Sequence, residues 1–122
     1  MGGINGGRLA KGKIRWKTPL GTTEGRLPID PPANYGLAGF GGPIVTAGGL
    51  AFIGAAWDGN FRAFDAESGK ELWKGKLPAP GVATPMTYQV RPNGKQFVVI
   101  AAGGHGKLPI PLGDALVAFT LP

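Results

Sequence analysis

The sequence of 122 residues contains no cysteine, which excludes disulfide bonds, thiolate metal sites and cysteine nucleophiles. It also lacks any apolar run approaching the ~20 residues that a membrane-spanning helix needs. Residues 1–7 have no apolar segment of the kind that a signal peptide carries, so we expect no targeting signal in this chain. At 122 residues the chain can form one small domain with a modest core.

Uninterrupted stretches are short, because the chain has 23 glycines and 12 prolines. The longest segment without either residue runs from position 60 to position 68. Proline removes a backbone N–H and interior glycine costs about 1 kcal/mol relative to alanine, so helices of ordinary length are disfavoured. A hydrophobic fraction of 43% and several alternating runs nevertheless favour a folded protein over a disordered one.

Acidic residues are also scarce, with seven against thirteen basic residues and a net charge of +6. Near the start of the chain, Lys11, Lys13, Arg15 and Lys17 occupy alternate positions, which one face of a strand would share. Such a face could attract phosphate groups or anionic lipid headgroups. No nucleic-acid-binding motif accompanies it, so we predict a solvated outer strand protected against edge pairing, and no nucleic-acid partner.

The stretch from position 60 to position 73 predicts a β-hairpin. Successive side chains of residues 60–65 alternate as on a strand with two different faces. Asp65 can accept N–H bonds from the turn, Gly69 can supply a left-handed backbone, and Trp73 lies on the returning strand. The hairpin is therefore the local unit around which the rest of the fold is predicted.

Residues 12–20 echo residues 69–77, which places Trp16 and Trp73 in equivalent positions. The loop 21–42 between the two halves is rich in proline and glycine and should lie at the surface. The overall pattern of short strands and tight turns predicts an all-β fold. The predicted strands are 13–18, 44–47, 50–55, 60–65, 71–77, 84–90, 96–102 and 115–121.

The spacing Ala63-x-Asp65-x-x-x-Gly69-x-x-x-Trp73 resembles the tryptophan-docking repeat of the quinoprotein dehydrogenases, in which a tryptophan of one propeller blade stacks on the turn of the next. The resemblance covers roughly residues 11–122. It is to the C-terminal end of membrane-bound glucose and quinate dehydrogenases, which use pyrroloquinoline quinone (PQQ). The flanking segments that carry it are 41–49, 83–88 and 101–106.

This resemblance implies one partial β-propeller domain over residues 1–122, with about two four-stranded antiparallel blades. The expected parts are a strand 13–18 of a preceding blade, a blade 43–77 and an incomplete blade 84–121. Trp16 and Trp73 would join adjacent blades, using docking turns of the Ala63, Asp65 and Gly69 type. We expect the Trp16 strand to complete the second blade, within one chain or between copies, so the partners are the remaining blades or other copies of the chain.

Two residues are candidates for contact with the cofactor. His105 lies in a glycine-rich turn, where Gly103 and Gly104 would let the backbone approach a planar ligand. In the resembling enzymes the matching histidine lies close to the quinone; the alternative is a turn histidine without a ligand. Asp58 matches an aspartate near the cofactor pocket, and Asp-Gly is equally a hairpin turn that needs no ligand.

Other aspartates are predicted to be structural, and some positions depart from the resembling enzymes. The structural aspartates are Asp30, Asp65 and Asp114. Val82 and the segment 108–112 are more apolar than the matching positions, which predicts a less polar pocket mouth and a substrate that need not be glucose. Trp57 stands where a smaller or polar residue is expected, which alters the predicted shape of the pocket. A role for the loop 21–42 in that mouth is as plausible as a connecting role.

The resemblance implies an enzyme that oxidises a sugar or polyol with PQQ and reduces membrane quinone. Its catalytic aspartate and its Ca or Mg ligands come from earlier blades, so no catalytic or metal-binding residue is expected in this chain and the isolated piece should be inactive. The parent enzyme would be periplasmic, with membrane contact only through segments outside this chain. The alternative is a non-catalytic propeller-like scaffold formed by self-assembly of short chains. No phosphate-binding loop or nucleophile elbow indicates another chemistry.

Overall fold

The computed structural model describes residues 3–23, 36–37 and 39–122. Within these ranges the regular structure is nine strands and one 3-10 turn, Leu9–Lys11, which confirms the all-β prediction. No helix of the described part is long and apolar enough to cross a membrane. The strands are β1 Gly3–Arg8, β2 Lys13–Pro19, β3 Ile44–Val45, β4 Leu50–Ile53, β5 Asn60–Asp65, β6 Glu71–Lys76, β7 Met86–Gln89, β8 Gln96–Ala102 and β9 Ala115–Thr120.

The strands form three antiparallel sheets, β1-β2, β3-β4-β5-β6 and β7-β8-β9. Strand β1 corrects the sequence analysis, which predicted no structure there and left the Trp16 strand without a neighbour of its own. Because three of its six residues are glycine, no side-chain alternation indicated a strand. Within this chain β2 pairs with β1 and does not complete the sheet β7-β8-β9, where β9 has β8 as its partner.

The hairpins β1-β2 and β5-β6 have the same register. Gly6 lies opposite Trp16 and Ala63 lies opposite Trp73, and in each hairpin the register shifts immediately after that pair. The turn glycines Gly12 and Gly69 also match, with φ angles of 57° and 73°. The first hairpin therefore repeats the second, although only its returning strand was visible in the sequence.

The turn between β5 and β6 is held by Asp65. Its Oδ1 accepts the N–H groups of Glu67 and Ser68 at 2.8 and 2.7 Å and the Ser68 hydroxyl at 3.0 Å. The N–H and hydroxyl bonds from Ser68 lower the pKa of the Asp65 carboxyl most, desolvation opposes them, and the Glu67 N–H bond lowers it further. The ionised side chain thus fixes the turn that precedes Gly69.

The core consists of two clusters, one on each face of the central four-stranded sheet. Phe64 belongs to the cluster shared with β1 and β2, and Phe61 belongs to the cluster shared with β8. Both rings are fully buried. They lie on opposite sides of the sheet because residues separated by an odd number of positions on a strand face opposite sides. Burial of each ring contributes roughly 1.5–3 kcal/mol. The central sheet is therefore covered on both sides, whereas every residue of β7 is exposed.

Part of the predicted loop 21–42 lies outside the described residues. Residues 24–35 and 38 are among these, including Asp30, so the predicted roles of that segment stay predictions. In the described part, the Leu37 N–H donates to the Leu20 carbonyl at 2.7 Å, and Leu37 packs against the first core cluster. Gly39 and Ala56 form an isolated antiparallel bridge. These contacts connect the end of the loop to the central sheet.

Candidate functional site

The loops at one end of the sheets contain the residues predicted to face a cofactor. Asp58 lies in the turn between β4 and β5, and Gly103, Gly104 and His105 begin the loop between β8 and β9. A cleft of about 250 Å³ opens between the Asp58 turn and the segment 109–111 of the second loop. The structure thus brings two separate parts of the sequence to one end of the molecule.

The Asp58 side chain is buried and fully engaged within the chain. Its Oδ1 accepts the Arg62 Nη1–H and the Asn60 N–H, both at 3.1 Å. Its Oδ2 accepts a second Arg62 N–H, from Nη2, and the Thr22 N–H at 3.2 Å. The backbone carbonyl of Asp58 accepts a bond from Lys76 Nζ at 3.1 Å. The carboxylate consequently ties its own turn to β5 and to the chain that follows β2.

Arg62 is also buried, with 2% of its surface exposed, and its Nε donates to Glu71 Oε2 at 3.1 Å. Desolvation acts to raise the pKa of the Asp58 carboxyl, but the hydrogen bonds and charge of Arg62 and the Asn60 bonds together lower it. Asp58 is therefore held in its charged form. Breaking such a buried pair by removing one partner typically costs about 3–5 kcal/mol.

His105 is exposed and stacks on a second ring. The imidazole and the Phe40 ring have centroids 6.0 Å apart and planes inclined by 20°. The Lys107 N–H donates to His105 Nδ1 at 3.3 Å, which assigns the ring proton of a neutral imidazole to Nε2. Nε2 makes no hydrogen bond to any residue that the structure describes, so on this exposed side chain it is an available donor.

The glycines beside His105 allow the loop to fold back on itself. Gly104 has a φ of 64°, and a Cβ at this position would overlap the Pro111 carbonyl oxygen. The Gly104 N–H donates to the Pro80 carbonyl at 2.9 Å, and the Gly103 carbonyl accepts the Gly113 N–H at 3.1 Å. The space beside Gly104 is thus occupied by the chain itself, and Pro80 and Pro111 both line the cleft.

The predicted docking residues lie at the opposite end of the sheets. Trp16 Nε1 donates to the Ala66 carbonyl at 3.1 Å, and a Cβ on Gly69 would overlap the Trp16 ring. Trp73 instead meets aromatic side chains, with ring centroids 4.9 Å from Phe119 and 6.2 Å from Phe61. The two indoles therefore have different surroundings, although their hairpins match.

Three features of the end that contains Asp58 and His105 were missed by sequence reasoning. Arg62 was placed in an alternating strand without any sign of its burial, although its position four residues after Asp58 could have suggested a pair. Phe40 gave no signal as the partner of His105. Trp57 has a buried Nε1 without a hydrogen-bond partner in the described part of the chain. Among the same residues, no group of three or more histidine or acidic side chains could hold a metal ion.

Comparison with known proteins relates most of the chain to one family. The family model for the PQQ glucose/ethanol/alcohol dehydrogenase β-propeller domain matches residues 2–98. Quinoprotein glucose dehydrogenase A of Acinetobacter calcoaceticus is 47% identical over 99% of this chain and 15% of its own length. The quinate/shikimate dehydrogenase (quinone) of Acinetobacter baylyi is 41% identical over 89% of this chain and 14% of its own. The chain thus spans about 15% of the length of such relatives.

Solved structures agree with this relation. A europium-containing methanol dehydrogenase superposes with a TM-score of 0.56 and 35% identity, over 77% of this chain and 13% of its own. The quinohemoprotein alcohol dehydrogenase of Comamonas testosteroni gives a TM-score of 0.61 over 90% of this chain and 15% of its own, and at 23% identity it supports the fold alone. The chain belongs to the family of PQQ-dependent glucose, ethanol and alcohol dehydrogenase β-propeller domains.

Proposed function

We propose that this chain is part of the β-propeller of a PQQ-dependent dehydrogenase that oxidises a sugar or polyol and reduces membrane quinone. The observation that carries the proposal is 47% identity to a quinoprotein glucose dehydrogenase over 99% of the chain. The glycerol dehydrogenase large subunit of Gluconobacter thailandicus, 46% identical over 90% of the chain, supports the polyol class. The parent protein would act in the periplasm and reach the membrane through segments outside this chain.

The residues at the loop end fit a flat, carboxylate-bearing quinone such as PQQ. His105 offers an exposed ring with Nε2 available as a donor, and Phe40, which is 55% exposed, extends that flat surface. When bound, PQQ supplies the two-electron redox chemistry, and the protein supplies binding, orientation and electrostatics. We assign His105 to binding and orienting the cofactor, with Gly103 and Gly104 shaping the loop that presents it.

Asp58 contributes indirectly in this proposal. Both of its carboxylate oxygens already accept bonds from Arg62, Asn60 and Thr22, so its negative charge fixes the loop instead of contacting the cofactor. Ca or Mg would be bound by residues outside this chain, and the catalytic aspartate would also lie outside it. The isolated chain should accordingly bind PQQ without turning over substrate.

The docking tryptophans would join this chain to further blades. Trp16 lies against the turn Ala66–Gly69 of the central sheet. Trp73, which has Ala63 opposite it, would lie against an equivalent turn of the next blade. A groove of about 870 Å³ beside Trp73, Leu72 and Phe119 supports this assignment, as does β9, which has one strand partner among the described residues. Remaining blades of a longer protein are the favoured partners, and other copies of the chain are the alternative.

PQQ retention tests the proposed function. The chain is mixed with PQQ and Ca²⁺ and desalted, and the quinone absorption band is measured in the protein fraction. We expect a retained band in the unmodified chain and its loss in His105→Ala, while Gln89→Ala at the opposite end retains it. A band equally strong in His105→Ala would contradict the assignment of His105. If the unmodified chain retains no band, the non-catalytic scaffold becomes the better description.

The scaffold alternative has its own test in the solution mass. Copies that cover the free edge of β9 would give an oligomer that Trp73→Ala dissociates. A monomer in both cases, measured by light scattering on folded protein, excludes self-assembly.

A further inference from the structure

The turn between β7 and β8 contains one of the two Asn-Gly pairs of the chain. Of the four asparagines, Asn5 in β1 and Asn93 in this turn precede a glycine. Glycine has no side chain to shield its backbone nitrogen, so that nitrogen can attack the side-chain amide of the preceding asparagine. The attack is intramolecular, which gives the nitrogen a high effective concentration at the amide carbon.

Asn93 occupies the third position of a turn that matches type II. Pro92 fixes the preceding backbone, the φ of Asn93 is 62°, and the Gly94 N–H closes the turn on the Arg91 carbonyl at 2.9 Å. Asn93 is the only residue other than glycine with a positive φ in the part of the chain that the structure describes. Its side chain is exposed and makes no hydrogen bond to any residue in that part. No contact therefore holds the amide away from the Gly94 nitrogen.

Two hydrogen bonds hold the Gly94 peptide in the turn. Its N–H donates to the Arg91 carbonyl, and its carbonyl accepts a bond from Gln89 Nε2 at 3.1 Å. Both bonds lie at a hairpin tip where every residue from 86 to 96 is exposed. Exposed hydrogen bonds without buried contacts around them open at low cost. Opening releases the nitrogen for attack, so these bonds set the rate of the reaction without preventing it.

The Asn5-Gly6 pair has the same chemistry in a different setting. Gly6 lies opposite Trp16 in the ladder of β1 and β2, and a Cβ on Gly6 would overlap the Trp16 ring. Ring closure between Asn5 and Gly6 requires the extended backbone to rotate, which breaks ladder bonds and displaces the indole. Asn5 is thus protected by the fold, although its side chain is also exposed.

We propose that Asn93-Gly94 is a site of spontaneous backbone modification, at which Asn93 is converted to aspartate and isoaspartate through a cyclic imide. The Gly94 nitrogen gives its proton to a water-derived base and bonds to Asn93 Cγ, and the Cγ–Nδ2 bond breaks with release of ammonia. Water then opens the imide. Rupture of the bond between the nitrogen and Cγ gives aspartate, and rupture of the main-chain bond gives isoaspartate. No electrons are exchanged, and water is the only co-reactant.

The modification changes both the charge and the backbone of the turn. Either product places a carboxylate between Arg91 and Lys95, neither of which forms an ion pair with a residue that the structure describes. Isoaspartate also adds one carbon to the main chain, so the bond from the Gly94 N–H to the Arg91 carbonyl no longer closes a ring of the usual size. Lys95 lines the groove beside Trp73, so the change reaches one border of that groove. The reaction is independent of the proposed dehydrogenase function.

Peptide mapping after incubation tests the proposal. The folded chain is incubated at mildly alkaline pH in water enriched in oxygen-18, digested with trypsin in ordinary water, and analysed by liquid chromatography and mass spectrometry. Digestion separates the two pairs, because Asn5 falls in peptide 1–8 and Asn93 in peptide 77–95. We expect peptide 77–95 to incorporate oxygen-18 and to resolve into an aspartate and an isoaspartate form, while peptide 1–8 keeps its amide. In urea-unfolded chain both peptides should convert.

Two glutamines of the hairpin give a matched pair of variants. Gln89→Ala removes the side-chain bond to the Gly94 carbonyl and should accelerate conversion of Asn93 about fivefold, which is the change expected from the loss of one ordinary hydrogen bond. Gln96→Ala removes a side-chain bond of the same hairpin, to Thr87 Oγ1, without touching the turn, and should leave the rate unchanged.

Four outcomes would overturn the proposal. They are conversion of Asn5 as fast as Asn93 in the folded chain, conversion of Asn93 only after unfolding, aspartate without isoaspartate, and equal rates in Gln89→Ala and Gln96→Ala. The third outcome would mean that water attacks the amide directly, and the fourth that the turn bonds do not control the nitrogen.

Discussion

The hairpins β1-β2 and β5-β6 match in register and turn glycine, yet their tryptophans lie in different environments. Trp16 donates to the Ala66 carbonyl and covers Gly69 of the central sheet. Trp73 is 39% exposed, and its Nε1 meets no acceptor among the residues that the structure describes. Local sequence therefore determines the hairpin, whereas the environment of the indole depends on the neighbouring turn.

A second difference lies on the strands themselves. Arg62 of β5 and Asn5 of β1 occupy equivalent positions, because each comes one residue before the residue that lies opposite the tryptophan. Asn5 is exposed, whereas Arg62 is buried between Asp58 and Glu71. The ion pairs thus belong to the central sheet and not to the hairpin motif. Each comparison gives a matched pair of substitutions.

The largest effect is expected at Arg62. Arg62→Met leaves Asp58 and Glu71 without their buried partner and should lower the free energy of unfolding by about 3–5 kcal/mol. Asn5→Ala, at the corresponding exposed position, should change it by less than about 0.5 kcal/mol. Urea unfolding followed by circular dichroism measures both values.

The double variant Asp58→Asn/Arg62→Met refines this measurement. Because it removes the uncompensated charge of Asp58, it should recover part of the loss caused by Arg62→Met alone. A loss below about 1 kcal/mol in Arg62→Met would mean that the network does not stabilise the turn.

The two tryptophans should differ next. Trp16→Ala removes a ring packed against the first core cluster together with its bond to Ala66, and should cost about 3 kcal/mol. Trp73→Ala should cost about 1 kcal/mol, because the ring is partly exposed and no docking turn is lost. Thermal and urea unfolding of the two variants in parallel give the difference. Equal losses would show that Trp73 is covered in solution, as expected for an assembled oligomer.

The turn glycines sharpen the comparison further. Gly12→Ala introduces a Cβ into open space and should cost about 1 kcal/mol, because alanine disfavours a left-handed backbone. Gly69→Ala adds an overlap with the Trp16 ring and should cost about 2 kcal/mol or more. In a Trp16→Ala background the Gly69→Ala penalty should fall to that of Gly12→Ala, which a double-mutant cycle measures. Additive penalties would contradict the contact.

The sequence was sufficient to predict the β-hairpins whose strands carry alternating side chains. It predicted the turn at Asp65 and strands within two residues of β4, β5, β6, β8 and β9. It did not predict β1, because glycines supply backbone hydrogen bonds without any side-chain pattern. The prediction that β2 completes the sheet β7-β8-β9 followed from that omission, since a strand without a visible neighbour was assigned to a distant sheet.

Part of the candidate site was less accessible to sequence reasoning. Asp58 could be identified as a turn residue, but its pairing with Arg62 depends on burial that a one-dimensional pattern does not encode. The stacking of His105 on Phe40 joins residues 65 positions apart and arises from packing between two loops. Trp57 and the segment 109–111 were singled out separately, and only the fold places them on one cleft.

The smallest expected effect concerns the acid side of the pH range, where the hairpins differ because the position of Asp65 in β5-β6 corresponds to Arg8 in β1-β2. The pKa of Asp65 is lowered by its bonds to Ser68 and Glu67. A carboxyl whose folded pKa is depressed contributes stability above its unfolded pKa, about 3.9, and that contribution is lost as the pH falls through the folded pKa. Asp65→Asn should therefore have a thermal midpoint that falls less steeply below about pH 4.

Ser68→Ala is the matched control for this prediction. It removes the hydroxyl bond to Asp65 but keeps the carboxylate and both N–H bonds at 2.7 and 2.8 Å, so it should retain most of the pH dependence. Carbon-13 NMR of the Asp65 carboxyl gives the titration directly, and the signal should titrate below the ordinary range of aspartate. A titration in the ordinary range would mean that the turn bonds do not favour the charged form.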